Sequence, residues 1–140
     1  MQTRVMKDTW TKEEVQDNRR AFVALLRSGE LRQGRGQLYN RIDDSYCVIG
    51  ALCKLFGDTF RYTCGGLPQS DFASNENGSF APKNVIRAVG LSANLLVDYA
   101  GKKTFLWRLN DEPTNILSFA DFANIIEEQP FEYDESKLRL

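Results

Sequence analysis

The chain has 140 residues, of which 42% are hydrophobic and 26% charged, a composition typical of one globular domain that needs neither a metal nor a disulfide framework. Its 18 basic and 19 acidic residues leave a net charge of -1, which argues against a surface devoted to nucleic acid or anionic membrane. It has no histidine, and this excludes Ser-His-Asp and Cys-His catalysis together with every zinc site that needs an imidazole.

The sequence predicts an intracellular, cytoplasmic protein. No apolar run approaches the ~18 residues of a membrane span, and residues 1–10 lack the apolar core of a secretory signal. The three cysteines, Cys47, Cys53 and Cys64, are therefore predicted to be reduced and buried as small hydrophobic side chains.

A first helix is predicted over residues 11–28. Thr11 and Glu14 have the spacing of a capping box, and Gly29 is placed to end the helix. One set of side chains recurs at helical intervals and should form its buried face: Val15, Arg19, Phe22, Val23 and Leu26. The stretch that follows, residues 30–46, predicts a short irregular hairpin.

A central helix is predicted over residues 47–56. This run is too apolar for a surface helix, and Asp44 or Ser45 can cap its start. Gly50 lies inside it and costs roughly 1 kcal/mol of helix propensity relative to alanine. We therefore expect another segment to pack close against that side of the helix.

The second half of the chain predicts a long loop and short helices. Residues 58–81 are rich in Gly, Ser, Asn and Asp and predict a loop with a small hairpin. Pro82 opens a short helix that Gly90 ends, and Thr104 is predicted to cap a helical turn. Ser118 starts a last helix to about residue 128. Its apolar side chains are expected to be buried: Phe119, Phe122, Ile125 and Ile126.

These elements predict an α+β fold. Residues 1–130 should form a single compact domain with four to five helices and one or two small β-hairpins. Residues 1–41 carry nine basic and five acidic side chains, whereas residues 111–140 carry two basic and eight acidic ones. The acidic tail over residues 131–140 is therefore expected to be solvated or disordered.

The most suggestive motif is the glycine loop Arg32-Gln33-Gly34-Arg35-Gly36-Gln37. Paired glycines expose main-chain N–H groups, and two guanidiniums offer bidentate donors, so the loop predicts a site for phosphate or carboxylate. It is not a P-loop, because no Gly-Lys-Ser/Thr follows, and a turn with solvated arginines is the competing interpretation. The predicted binding site combines this loop with nearby polar side chains: Arg32, Gln33, Arg35, Gln37, Tyr39, Arg41, Asn110 and Asp111.

An enzyme is the first alternative function. Cys47 lies near the predicted start of the central helix, where the helix dipole lowers a thiol pKa, and Gln33 or Gln37 could supply an oxyanion donor. Without histidine, the base would be a carboxylate, and Asp43 with Asp111 is a second enzymatic candidate. A buried structural cysteine is the competing interpretation. Because no catalytic constellation is complete, we predict no catalytic residue, metal or cofactor.

A binder of single-stranded nucleic acid is the second alternative. Tyr39, Phe60 and Tyr62, with Arg41 and Arg61, could stack on bases. Aromatic residues at alternate strand positions are more often part of a core, and the net charge disfavours a nucleic-acid partner.

Several short motifs follow one another in a fixed order: Leu26-Arg27-Ser28-Gly29, Gln33-Gly34-Arg35-Gly36, Cys47-Val48-Ile49-Gly50-Ala51-Leu52-Cys53, Leu109-Asn110-Asp111 and Ser118-Phe119-Ala120-Asp121. This order resembles a family of small uncharacterised proteins of bacteriophages and bacterial genomes. Its members carry a Gln-Gly-Arg-Gly loop, a "CCLGVLC"-like helix and a Leu-Asn-Asp turn. The resemblance covers residues 20–129. Val48 replaces the second cysteine of the family's pair, which argues against chemistry that needs two adjacent thiols.

The resemblance implies a compact α+β accessory domain, phage-encoded and acting in the host cytoplasm, and it implies no particular activity. It also implies that the glycine loop and the Asn110-Asp111 turn lie close together. By analogy with small phage proteins, the favoured function is a non-enzymatic binding module. Its partner is expected to be a host protein or an anionic, nucleotide-like small molecule, with no membrane, no nucleic acid and no particular oligomeric state predicted.

Overall fold

The structure is a computed structural model that describes residues 1–62, 67–74, 81–113 and 116–139. These ranges contain six α-helices and seven short strands, so the predicted α+β class is confirmed. Among the described residues, no helix combines the length and the apolar character that crossing a bilayer requires. One cluster of buried apolar side chains fills the interior, and its largest members include Phe22, Phe122, Leu38, Ile49, Leu52 and Leu55.

The helices and strands alternate irregularly along the chain. The helices are α1 Lys12–Ser28, α2 Val48–Leu55, α3 Asp71–Ser74, α4 Lys83–Ala88, α5 Leu106–Asp111 and α6 Phe119–Glu128. The strands are β1 Arg32–Gln33, β2 Tyr39–Asn40, β3 Ser45–Tyr46, β4 Phe60–Tyr62, β5 Pro68–Ser70, β6 Leu96–Tyr99 and β7 Lys102–Phe105. In the predicted irregular hairpin, β3 pairs antiparallel with β2 and parallel with β1. Two further antiparallel pairs are β4 with β5 and β6 with β7.

The capping box predicted at Thr11 is present, and the helix start predicted at Ser118 is a second capping box. Thr11 Oγ1 accepts the N–H of Glu14 at 3.1 Å, and Ser118 Oγ accepts the N–H of Asp121 at 3.2 Å. Gly29 ends α1 in the left-handed conformation, at φ 77°. The two helices that these boxes start, α1 and α6, pack against each other and bury the predicted apolar faces.

Arg19 joins three helices from inside the protein. It lies on α1 and is only 3% exposed. Its guanidinium donates to the carbonyl oxygens of Val89 at 2.9 Å and Gly90 at 2.8 Å, after α4, and to that of Gln129, after α6. The ring of Phe131 lies 3.7 Å from the guanidinium carbon. One arginine therefore bonds the ends of α4 and α6 to α1.

The central helix α2 is buried as predicted, and Gly50 is its point of closest packing. A Cβ on Gly50 would overlap the carbonyl oxygen of Leu38 and lie 2.7 Å from its carbonyl carbon, so the expected close approach is confirmed. The predicted cap is wrong. Cys47, rather than Asp44 or Ser45, caps α2, and its Sγ accepts the N–H of Gly50 at 3.4 Å. Strand pairing keeps β3 extended and delays the start of the helix.

The region before α5 differs from the prediction. Thr104, predicted to cap a helical turn, lies in β7 opposite Val97, and no side chain caps α5. The turn between β6 and β7 consists of Ala100 at φ 54° and Gly101 at φ 79°. Positive φ at both positions is the geometry of a type I′ hairpin turn. The hairpin uses Thr104 as a strand residue and leaves it unavailable as a cap.

Residues 131–139 lie along α1. The ring of Tyr133 lies 5.1 Å from the Lys12 ammonium, and Arg139 pairs with Glu14 at 2.7 Å. The charge of this segment favours a solvated tail, but its aromatic and basic side chains supply contacts with α1. Those contacts place residues 131–139 against the domain.

Candidate functional site

Asn110 and Asp111, at the end of α5, bond the glycine loop to the start of α2. Asn110 is 3% exposed, its Oδ1 accepts the N–H of Val48 at 3.2 Å, and its Nδ2 donates to the Gly34 carbonyl at 3.5 Å. Asp111 Oδ1 accepts the N–H of Gly36 at 2.9 Å. The structure therefore brings the loop and the Asn110-Asp111 turn together, as the family resemblance implied.

The two arginines of the loop are exposed. Arg32 Nη1 lies 3.4 Å from the Asp43 carbonyl oxygen, and Arg35 Nη1 lies 3.4 Å from that of Glu112. Both distances are long for hydrogen bonds to a guanidinium. Within the described ranges, neither guanidinium forms an ion pair with a carboxylate. Arg32 and Arg35 are therefore available to a partner.

The other polar groups of the loop are used within the protein. Gly36 donates its N–H to Asp111, and Gly34 donates its N–H to the Tyr46 carbonyl at 2.7 Å. Gln33 Nε2 donates to the Leu117 carbonyl at 2.8 Å, and Gln37 is half-buried. The glycine N–H groups that the sequence suggested for an anion are thus bound to the protein's own oxygens. The guanidiniums of Arg32 and Arg35 remain exposed, each with one long contact to a carbonyl oxygen.

Tyr39 and Arg41 belong to a neighbouring aromatic cluster. Tyr39 Oη donates to Asp44 at 2.9 Å, and its ring stacks on Phe60 with centroids 5.5 Å apart. The Arg41 guanidinium lies 4.2 Å from the centroid of Tyr62. Each ring that could stack on bases therefore has one face covered by another side chain. This arrangement weakens the hypothesis that these rings stack on the bases of single-stranded nucleic acid.

A cavity of about 430 Å³ lies beside Arg32. Two cations, Arg32 and Lys54, and three carboxylates, Glu30, Asp43 and Asp44, line it. Because the carboxylates outnumber the cations, this cavity does not favour an anionic small molecule.

The described thiols are buried, as predicted. Cys47 is 5% exposed, and burial raises the pKa of its thiol to about 11. Burial also raises the pKa of Cys53. Cys64 lies outside the described residues. At Cys47, the loss of hydration outweighs the helix start that was expected to lower the pKa.

The carboxylate pair of the enzyme hypothesis is divided between two separate sets of hydrogen bonds. Asp43 accepts the Ser45 hydroxyl at 2.6 Å, whereas Asp111 accepts the N–H of Gly36. Asp43 bonds a neighbour two residues away and Asp111 bonds the glycine loop, so these contacts do not supply a joint catalytic site.

Cys47 and Cys53 are expected to resist alkylation in the folded protein. At pH 7.5, a thiol of pKa about 11 has roughly 300-fold less thiolate than a free cysteine. Mass spectrometry after iodoacetamide treatment of a Cys64→Ser variant should show no label on either residue until denaturant is added. Rapid labelling of native Cys47 would contradict its burial and restore the nucleophile hypothesis.

One buried carboxylate escaped the sequence analysis. Asp58 Oδ1 accepts the N–H of Phe72 at 3.1 Å, the Ser70 hydroxyl donates to its other oxygen, and burial raises its pKa. An aspartate in a polar loop gives no sequence signal of burial. Its carboxylate accepts hydrogen bonds from the first turn of α3 and from the last residue of β5, so its role here is structural.

A family model described as Domain of unknown function (DUF8296) matches residues 11–130. No curated protein and no solved structure matches the chain. The matched range contains the glycine loop, the central helix and the Asn110-Asp111 turn, which are the parts that build the candidate site. The chain therefore belongs to the DUF8296 family of domains of unknown function.

Proposed function

We propose that the protein is a non-enzymatic binding module whose Arg32 and Arg35 engage carboxylates on a partner protein. The observation that carries this proposal is the pair of exposed guanidiniums, which form no ion pair with a carboxylate of the described residues and lie on a loop that Asn110 and Asp111 fix in place. For a phage-encoded chain, the partner is a host protein.

The fixed loop supports a binding role for energetic reasons. Association has an entropic cost for each side chain and loop that it orders, and a loop already bonded to α5 reduces that cost. Arginine is enriched at the centres of protein interfaces because its planar guanidinium forms bidentate bonds to carboxylates.

A protein partner fits the site better than a small anion. Small anions bind tightly where several N–H donors converge, and here Gly36 already donates to Asp111. The cavity beside Arg32 also has more carboxylates than cations. Exposed guanidiniums on a fixed loop suit carboxylates presented one at a time by a protein surface. A nucleotide-like anion remains the alternative ligand.

A retention experiment with paired variants tests this proposal. Immobilised wild-type protein is incubated with lysate of its host, and retained proteins are quantified by mass spectrometry beside an Arg32→Ala/Arg35→Ala variant. Arg20→Ala is the matched control, since Arg20 is exposed on α1 and pairs with Asp17. We expect the double variant to retain about tenfold less of the specific partner and the control to match wild type.

Two outcomes would contradict the proposal. Equal retention by the double variant would show that the loop arginines are structural or solvated. A nucleotide that raises the melting temperature of wild type but not of the double variant would favour sequestration of a small anion instead.

A further inference from the structure

Among the parts of the chain that the structure describes, nothing pairs with one edge of the hairpin of β6 and β7. Leu106 donates its N–H to the Leu95 carbonyl at 2.9 Å, so these two residues form a hydrogen-bonded pair. Bonded and non-bonded pairs alternate along an antiparallel ladder, and the register then makes Asp98 and Lys103 a non-bonded pair. Their main-chain N–H and C=O groups point outward, at opposite edges of the hairpin.

The edge on the β6 side is filled by one side chain. The Asp98 N–H donates to Gln129 Oε1 at 2.8 Å, and Gln129 Nε2 donates to the Asp98 carbonyl at 3.0 Å. The amide of Gln129 thus occupies the place of a neighbouring strand. On the β7 side, no group in the described ranges bonds the main chain of Lys103. Phe105, two residues further on, presents its N–H to the same side.

The side chains around this open edge are basic and aromatic. Trp107 is 41% exposed, its ring stacks on Phe105 with centroids 5.7 Å apart, and the Arg108 guanidinium carbon lies 5.6 Å from its centroid. Two exposed lysines precede them, and one of these pairs with Asp98 at 2.9 Å. We name this surface the β7 strip, defined as Lys102, Lys103, Phe105, Trp107 and Arg108.

We propose that the β7 strip binds an extended acidic segment of the partner protein, which adds to the hairpin as a third strand beside β7. An unpaired strand edge is a template for an added strand, whose main chain supplies the affinity. The lysines select the occupant, because they repel a second copy of the same basic edge and attract glutamate and aspartate. The stacked rings of Phe105 and Trp107 offer an apolar surface to every second side chain of the bound segment.

This inference deepens the proposed function and rests on it, because α5 connects the β7 strip to the glycine loop. The helix spans about 9 Å at 1.5 Å per residue. Asp111, at its far end, holds Gly36, and Arg35 contacts the Glu112 carbonyl just beyond. One acidic partner could therefore contact the strip and Arg35 together.

The test uses a capped hexapeptide of alternating glutamate and valine, added to the ¹⁵N-labelled full chain and followed by NMR. We expect the amide protons of Lys103 and Phe105 to shift downfield and to exchange more slowly with solvent, because they gain hydrogen-bond acceptors. A hexapeptide of alternating lysine and valine is the control and should do neither. A glutamate–valine peptide N-methylated along one edge should bind about tenfold more weakly.

A variant of the protein supplies the complementary measurement. Lys103→Pro removes an outward N–H while leaving the bonded pairs of the hairpin in place, so it should lower the affinity for the glutamate–valine hexapeptide about tenfold. Lys103→Ser keeps that N–H and should lower the affinity for the hexapeptide less than Lys103→Pro does. The inference is overturned if the N-methylated peptide binds as tightly as its parent, or if the Lys103 and Phe105 amides gain no protection.

The two proposals fail separately. The hexapeptide is aimed at β7, so Arg32→Ala/Arg35→Ala should leave its binding intact. Absence of amide protection at Lys103 would overturn the strand-addition inference, whereas equal partner retention by the double arginine variant would overturn the proposed function.

Discussion

Arg19→Met is expected to lower the free energy of unfolding by about 3–5 kcal/mol. Methionine keeps much of the side chain's length but donates no hydrogen bond, so the carbonyls of Val89 and Gln129 lose their buried donor, whereas that of Gly90 keeps the N–H of Glu132 at 2.8 Å. Buried carbonyls without donors destabilise the folded state more than the lost bonds alone suggest. The loss is large because Arg19 bonds carbonyls of two segments at once, at the ends of α4 and α6.

Electrostatics adds to this effect. The carbonyls that Arg19 bonds follow the C-terminal ends of α4 and α6, where the helix dipole favours a positive charge. Arg19→Lys keeps the charge but replaces a planar donor group with a compact ammonium, which cannot reach both helix ends at once. Its stability should therefore lie between those of wild type and Arg19→Met.

Urea unfolding followed by circular dichroism measures these differences, and the neighbouring residue supplies the control. Arg20 is exposed, so Arg20→Met should change the free energy of unfolding by less than about 0.5 kcal/mol. If the two methionine variants unfold at similar urea concentrations, the buried arginine does not join the helices as described.

Local signals made the helix starts predictable. Thr11 and Ser118 act through hydrogen bonds to residues only three positions away, so the sequence contains both partners of each cap within one turn. The buried helix α2 was predictable for a similar reason, because seven of its eight residues are uncharged and buried, all but Lys54.

Long-range contacts set the limit of the sequence analysis. Periodicity placed Arg19 on the inner face of α1, but its acceptors lie 70 and 110 positions away in the chain. The hairpin of β6 and β7 was missed because Ala100 is an uncommon residue for a turn with positive φ. Thr104, just before an apolar run, has the local signature of a helix cap, and strand pairing overrides it.

In the candidate site too, one part could be predicted and another could not. The resemblance to a family implied that Asn110 and Asp111 lie near the loop, but the sequence could not show that Asp111 binds the N–H of Gly36. This single contact changes the chemistry of the site, because the carboxylate of Asp111 occupies the main-chain N–H that an external anion would need. Arg32 and Arg35 are left as the groups that face a partner.

Gly50→Ala is expected to lower the free energy of unfolding by about 3 kcal/mol, although helix propensity alone predicts a gain of about 1 kcal/mol. The added methyl group would overlap the carbonyl of Leu38. That carbonyl belongs to the main chain and accepts the N–H of Cys47 at 3.3 Å, so it cannot rotate away as a side chain could. The helix and the segment before β2 would have to separate.

Gly101→Ala is the control variant, because it measures the stability lost on replacing a glycine with alanine where no collision occurs. Among the described residues, no atom outside its two chain neighbours lies within 4 Å of a Cβ at that position, so the positive φ is what opposes the change, at about 1–2 kcal/mol. Thermal and urea unfolding should therefore rank Gly50→Ala as the less stable variant, and a Gly50→Ala protein more stable than wild type would contradict the packing of α2 on Leu38. Leu38 directly follows the glycine loop, so the same collision should also move Arg35 and reduce partner retention.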